Sequence, residues 1–230
     1  MFPDKRYFPE SPSERMGQIH CNGGLSYLNQ TTAEFCVYRE EELFKVFVHE
    51  TFHAFGVHGR FPVGAHADTL VTLSPQYPLE YTEVYAETWA RIILVLFSAR
   101  GGVKAVMQGL EREAAYGWHG CRCVLLKEAA ADMSEAGVQP TPALEYYCLT
   151  GLVMIHHDGF LRWCSENNIM CKKGVGYELR DPEEWLRWLG GIIRLGLPKV
   201  AQALSEENRD DIMCAGKSAR MTWHDLAPRN

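Results

Sequence analysis

Apolar and polar positions in this chain fall into blocks whose periods predict helices far more often than strands. Near the start, residues 16–20 and 25–28 carry strand-compatible side chains on either side of Cys21-Asn22-Gly23-Gly24, a reasonable hairpin turn. Residues 33–39 form a third candidate strand, rich in β-formers. The period then changes. Glu40, Glu41 and Glu42 stand where first-turn carboxylates complement a helix dipole. Phe44, Phe47, Val48, Thr51, Phe52 and Phe55 recur at helical spacing until Gly56 offers a stop. Leu43, Val46 and Ala54 are apolar as well, so the pattern predicts a buried helix.

A looser stretch over 56–78 is punctuated by Gly59, Pro62, Gly64, Pro75 and Pro78. It leads into a second apolar helix over 80–99, closed by Gly101-Gly102. Further helical patterns cover 103–116, 122–136 and 142–167. Another starts at Asp181-Pro182-Glu183-Glu184, an N-cap with proline at the first helical position. The last thirty residues read as a helix that frays. No repeat or low-complexity linker divides the chain, so one domain over 1–230 is expected. The sheet and metal site would occupy about 15–100, and a helical part the remainder. The expected class is helix-dominated α+β with a small N-terminal β-sheet.

Composition narrows the function classes. With 47% hydrophobic and 23% charged residues, the chain has ordinary globular chemistry. A net charge of −6 with no Lys/Arg cluster along a helix face argues against a nucleic-acid partner. The longest apolar runs, 92–97 and 152–155, are too short to span a bilayer. No apolar secretory segment opens the sequence. A cytoplasmic protein without a membrane partner is the expectation. The eight cysteines are scattered, which predicts free thiols in a reducing compartment. His119, Cys121 and Cys123 lie close together but lack the paired C-x-x-C spacing of a structural zinc site.

The chemistry concentrates in His49-Glu50-Thr51-Phe52-His53. Histidines four apart on a helix leave the same face one turn above the other, so two ring nitrogens can reach one zinc ion at about 2.0–2.1 Å. Glu50 lies about 100° round the helix from His49, placed to take a proton from a zinc-bound water rather than to act as a third helical ligand. A shuffled chain of this composition would contain about 0.03 such motifs. The bland alternative, two satisfied core histidines beside a surface glutamate, sits poorly in so apolar a helix, where charged groups are costly without partners.

A catalytic zinc needs a third protein ligand and an open position. The second helix reads Thr82-Glu83-Val84-Tyr85-Ala86-Glu87-Thr88-Trp89-Ala90, with Glu83 and Glu87 on one face. One carboxylate can bind the metal while the other holds the far nitrogen of a ligating histidine. A solvated acidic stripe has the same spacing, but here the neighbours are Tyr, Trp, Ile and Leu.

The pairing of HETFH with EVYAETWA thirty residues after His53 resembles the gluzincin branch of zincin metallopeptidases. The pattern E-x-x-A-[DE]-x-x-A is similar to that of the CAAX prenyl proteases and their soluble relatives. The resemblance implies a zincin-like domain with an active-site helix, Zn2+ held by His49, His53 and Glu83, and Glu87 supporting a ligand. It also implies Glu50 as general base in hydrolysis of a peptide or protein substrate. The wider stretch, including FKVFVHETFHAFG and EYYCLTGLVMIHHDGFLRWC, also looks like uncharacterised proteins of large DNA viruses. The prenyl proteases span membranes many times and this chain shows no span, so their substrate does not carry over. A metzincin pattern matches through Gly56 and then departs, with Gly59 where histidine is required and His58 one residue early. His58 remains an alternative third ligand.

Hydrolysis at zinc develops an oxyanion, which a tyrosine or histidine donor can hold. On one continuous helix after Pro142, Tyr146 and His157 share a face with His156 beside it. His156 and Tyr146 are accordingly the expected donors. Tyr147 and these same residues could equally form a helix-packing boundary. Trp163, Trp185 and Trp188 fit a core, and no glycine-rich stretch has the lysine and strand context of a phosphate loop. Two rivals remain: a zinc-binding interaction module without catalysis, and a zinc hydrolase of non-peptide amides or esters.

Overall fold

A computed structural model describes residues 5–11, 14–28, 33–57, 80–130, 141–170, 177–206 and 218–223. A helical turn, α1 (Gln18–Cys21), precedes a hairpin of β1 (Gly24–Leu28) and β2 (Ala33–Val37). Then come α2 (Leu43–Ala54), α3 (Tyr81–Ser98) and α4 (Val103–Ala130). A π-helical segment (Leu144–Leu149) runs into α5 (Thr150–Ile155) and α6 (His157–Asn167). A two-residue pair, β3 (Ile169–Met170) with β4 (Tyr177–Glu178), precedes α7 (Pro182–Glu206). The class is α+β dominated by helix, as the sequence pattern predicts. Among the described residues no helix is long and apolar enough to cross a membrane.

The sheet is not assembled as expected. β1 pairs antiparallel with β2, with Gly24 opposite Val37 and Ser26 opposite Phe35. The segment 16–20 is therefore not the hairpin partner of 25–28, and part of it winds into α1 instead. Side chains take backbone carbonyls in and around it: Arg39 donates to those of Lys5, Ile19 and Asn22, and Arg6 Nε to that of Cys21 at 2.7 Å. Two buried arginines thus satisfy carbonyls that lie outside the β1–β2 ladder.

α2 begins one residue after the glutamate run, which corrects its reading as a first turn. Glu42 adopts a left-handed conformation with φ 60°, costing about 1 kcal/mol or more for a non-glycine residue. Its buried carboxylate offsets this by pairing with Arg6 and accepting the backbone N–H groups of Met221 (2.9 Å) and Thr222 (2.7 Å). At the other end, Gly56 (φ 62°) supplies the expected stop. The buried residues of α2 include Lys45, His49 and Glu50, whereas Phe47 and Phe55 are exposed. α2 lies against both α3 and the β1–β2 hairpin, so its inward side is set by two neighbours rather than by its apolar stripe.

α3 follows its prediction closely, with thirteen buried residues that include Glu87 and Arg91. It contributes Val84, Tyr85 and Trp89 to a core shared with Leu149, Phe160, Trp163 and Trp185. Trp185 and Trp188 stack there at 5.5 Å, consistent with their expected packing role. A second core joins Phe8, Met16, Cys121, Tyr147, Cys148, Ala219 and Met221.

α4 is one continuous helix, not two. Gly117 and Gly120 act as contact surfaces: a Cβ on Gly120 would stand 2.9 Å from the Tyr147 ring, and one on Gly117 would stand 3.3 Å from Gly151 Cα. The expected single helix over 142–167 is broken in the opposite sense. It opens as a π-helix and is interrupted at His156 (φ −108°, ψ 31°), so the helical phase relating Tyr146 to His157 is lost. Asp181 caps α7 as predicted, its Oδ1 accepting from the backbones of Glu183 (2.9 Å) and Glu184 (3.2 Å). Cys21, Cys36, Cys121, Cys148 and Cys164 are free, but Cys123 is disulfide-bonded. That corrects the expectation of free thiols throughout, because pairing depends on the approach of sulfur atoms, which spacing along the chain does not reveal.

Candidate metal centre

α2 and α3 pack so that the histidine face of one meets the acidic face of the other. His49 Nε2 and His53 Nε2 lie 3.0 Å apart. Glu83 places Oε2 at 3.1 Å from His49 Nε2 and Oε1 at 3.3 Å from His53 Nε2. Four ligands at zinc distance from one ion stand about 3.3 Å apart along each tetrahedral edge. The three separations match the edges of one such face. Among the described residues this is the cluster able to hold a metal ion. Glu83 Oε2 is buried and makes no hydrogen bond, so it and His49 Nε2 are close without being aligned on each other. An oxygen left over in this way fits a donor set converging on a common point. His58, the alternative ligand, lies outside the described residues.

Glu87 is fully buried behind this face. Its carboxylate receives Lys45 Nζ at 2.9 and 3.0 Å and Arg91 Nε at 3.1 Å, and lies 3.2 Å from His49 Nδ1. The Nδ1 approach is short but poorly aligned as a hydrogen bond. It nonetheless favours the proton on Nδ1 and leaves the Nε2 lone pair for a metal. Sequence reasoning singled out Glu87 but missed Lys45 and Arg91. Both were detectable: Lys45 is four residues before His49 on an apolar helix, and Arg91 four after Glu87.

Charge follows from this packing. Burial pushes the His49 imidazolium down, but the Glu83 and Glu87 carboxylates more than reverse that, raising it to about 9. Burial pushes the Glu83 carboxyl up, and His49 and His53 hold it well below the usual carboxylate range. Glu87 is held low against burial by Lys45, then by His49 and Arg91. The metal-free cluster therefore carries a proton that a cation would replace.

Glu50 reaches β1. Ser26 Oγ donates to its Oε2, and a Cβ on Gly24 would stand only 2.8 Å from its Oε1. Gly24 thus leaves the space in which the carboxylate lies across the strand. Tyr146 reaches the cluster, its ring centroid 5.8 Å from that of His49 in an edge-on contact. Burial first, and then the Glu83 and Glu87 charges, keep its phenol well above the ordinary range and so protonated. His49, Glu50, Glu87 and Tyr146 line a polar cavity of about 20 Å³ with Lys45 and Asn22, enough for about one water molecule.

His156 is not brought here. It lines a separate cavity with His157, Glu111 and Trp118, and none of His49, His53 and Glu83 lines that cavity. The π-helix and the break at His156 are the physical reason. Another acid appears instead: Glu145, next to Tyr146, accepts the backbone N–H of Glu80 at 2.8 Å. It thereby anchors the start of the helix that carries Glu83. Burial, opposed by hydrogen bonds and reinforced by the charges of Glu80 and Glu83, raises its carboxyl to about 7. No signal in the sequence distinguished it from a surface glutamate.

No protein-family model, curated protein or solved structure matches this chain.

Proposed function

We propose that this protein is a zinc-dependent hydrolase of the zincin type, acting on peptide bonds. The carrying observation is the triangle of His49 Nε2, His53 Nε2 and a Glu83 carboxylate oxygen, with edges of 3.0–3.3 Å. Two neutral imidazoles and a carboxylate are the donor set of gluzincin catalytic sites, and they suit zinc. Bound zinc would supply Lewis acidity, lowering the pKa of a coordinated water and polarising a carbonyl.

The remaining roles fall to the chain itself. Glu50, one residue from a ligand, accepts the proton of the attacking water and passes it to the leaving amine. Ser26 holds the Glu50 carboxylate in place through one oxygen. Tyr146 remains a phenol and donates to the developing oxyanion. Glu87, itself held by Lys45 and Arg91, orients His49. Support for a peptide substrate comes from β1. It pairs with β2 on one edge only among the described residues, and its Ser26 touches Glu50. An extended peptide added along the other edge would run beside the general base.

The Ser26 contact also suits a zinc-binding module in which Glu50 is structural, the main competing reading. Metal analysis combined with turnover of a diverse peptide pool by wild type and Glu50→Gln decides between them. Zinc with Glu50-dependent cleavage supports the hydrolase. Zinc with cleavage unaffected by Glu50→Gln, or an absence of bound zinc, overturns it.

A further inference from the structure

The helical run that delivers Tyr146 to the metal cluster continues for ten residues to His156, ~15 Å farther along the axis. There it meets a second cavity, of about 480 Å³, within the size range of small-molecule sites. Its walls come from three helices: Ala114, Ala115 and Trp118 of α4, Leu152 and Ile155 of α5, and Gly196 of α7. The floor is tight, because a Cβ on Gly196 would stand 2.5 Å from Leu152.

Glu111 and His157 are among the polar residues that line this cavity. His157 is buried, with 8% of its surface exposed, and its Nδ1 lies 2.9 Å from the Met154 carbonyl. A carbonyl only accepts, so Nδ1 carries a proton. Its Nε2 is buried without a hydrogen bond, 3.5 Å from Asp158 Oδ1. A ligand reaching this atom would satisfy it. Glu111 adds a negative charge, and Trp118 an aromatic wall against which a cation is favoured. No lysine or arginine lines the cavity among the described residues.

We propose that the cavity between α4, α5 and α7 binds a small apolar amine, with the ammonium directed to His157 and Glu111 and the apolar part against Trp118, Leu152 and Ile155. This site is separate from the metal cluster and does not depend on the hydrolase reading. It gives His156 and His157 a place in recognition at a distance from the reaction.

The test is calorimetric titration of the full chain with tryptamine, and with indole-3-propionate as a probe of similar shape and opposite charge. Saturable one-to-one binding of tryptamine with Kd below ~1 mM is expected, with the acid at least roughly tenfold weaker. Ala115 is exposed, so Ala115→Trp should fill the cavity without unfolding the chain and remove binding. Glu111→Lys, also at an exposed position, should weaken it by roughly tenfold or more, and His53→Ala should leave it unchanged. Equal affinity for amine and acid, retained binding in folded Ala115→Trp, loss in His53→Ala, or no saturable binding would overturn the proposal.

Discussion

Glu83 Oε2 stands 3.1 Å from His49 Nε2 without forming a hydrogen bond to it. With His53 Nε2, 3.0 Å from His49 Nε2 and 3.3 Å from the other Glu83 oxygen, they form a group of donor atoms that could hold one metal ion. Purified protein should therefore carry about one zinc per chain by elemental analysis, and His53→Ala should lose most of it. A preparation free of transition metal after zinc-replete expression would sink this reading.

The raised pKa of His49 gives zinc binding a pH dependence with a definite sign. In the metal-free protein His49 stays protonated up to about pH 9, so binding must displace a proton throughout the neutral range. Apparent zinc affinity should rise roughly tenfold per pH unit between pH 7 and 8. Competition with a chelator of known affinity measures it. A flat profile would mean that His49 is already neutral.

Glu83 and Glu87 should fail in different ways. Glu83→Gln removes a ligand and should release more zinc than Glu87→Gln, for which about 10–100-fold weaker binding is expected. Glu87→Gln removes the buried countercharge of Lys45 and Arg91 and should cost about 3–5 kcal/mol of stability, lowering Tm by roughly 10 °C. The crossed pattern is the diagnostic. If Glu87→Gln strips the metal while Glu83→Gln retains it, their roles are exchanged. If His58→Ala alone strips it, the metzincin-like geometry holds.

Glu50 should be dispensable for the metal and the fold. Its amide counterpart is nearly isosteric and can still accept from Ser26, but it cannot take a proton from water at neutral pH. At equal zinc content, Glu50→Gln should cleave any peptide substrate about 10²–10⁴-fold more slowly. Zinc loss in this variant would make Glu50 structural instead.

Glu145 predicts a change of stability with pH. Its folded pKa of about 7 lies above the ordinary carboxyl value of 4.5, so its proton favours the folded state. That contribution is complete below about pH 4.5 and is lost as pH rises through 7, on the order of 3 kcal/mol in all. Glu145→Gln keeps an acceptor for the Glu80 N–H and cannot ionise. In chelator-treated protein, urea denaturation should show the wild type losing stability relative to Glu145→Gln between pH 5 and 7.5. Parallel profiles would remove Glu145 from this role.

The sequence by itself determined the elements whose cause is local. A four-residue histidine spacing, a four-residue glutamate spacing, the Asp181 cap and the Gly56 stop each depend on periodicity or on a single turn, and each stands where it was read. Tertiary structure decided everything that depends on what lies opposite. Lys45, His49 and Glu50 are buried and Phe47 is exposed because α2 faces both α3 and the hairpin, where charged groups find partners. The two patterns over 103–116 and 122–136 run as one helix through Gly117, which packs closely on Gly151. Tyr146 and His156 part company because a π-turn changes the helical phase, and a wider turn leaves no trace in a pattern read at 3.6 residues. Local signals fix which residues can share a face, whereas the choice of neighbour rests on long-range packing and on pairing of buried charge.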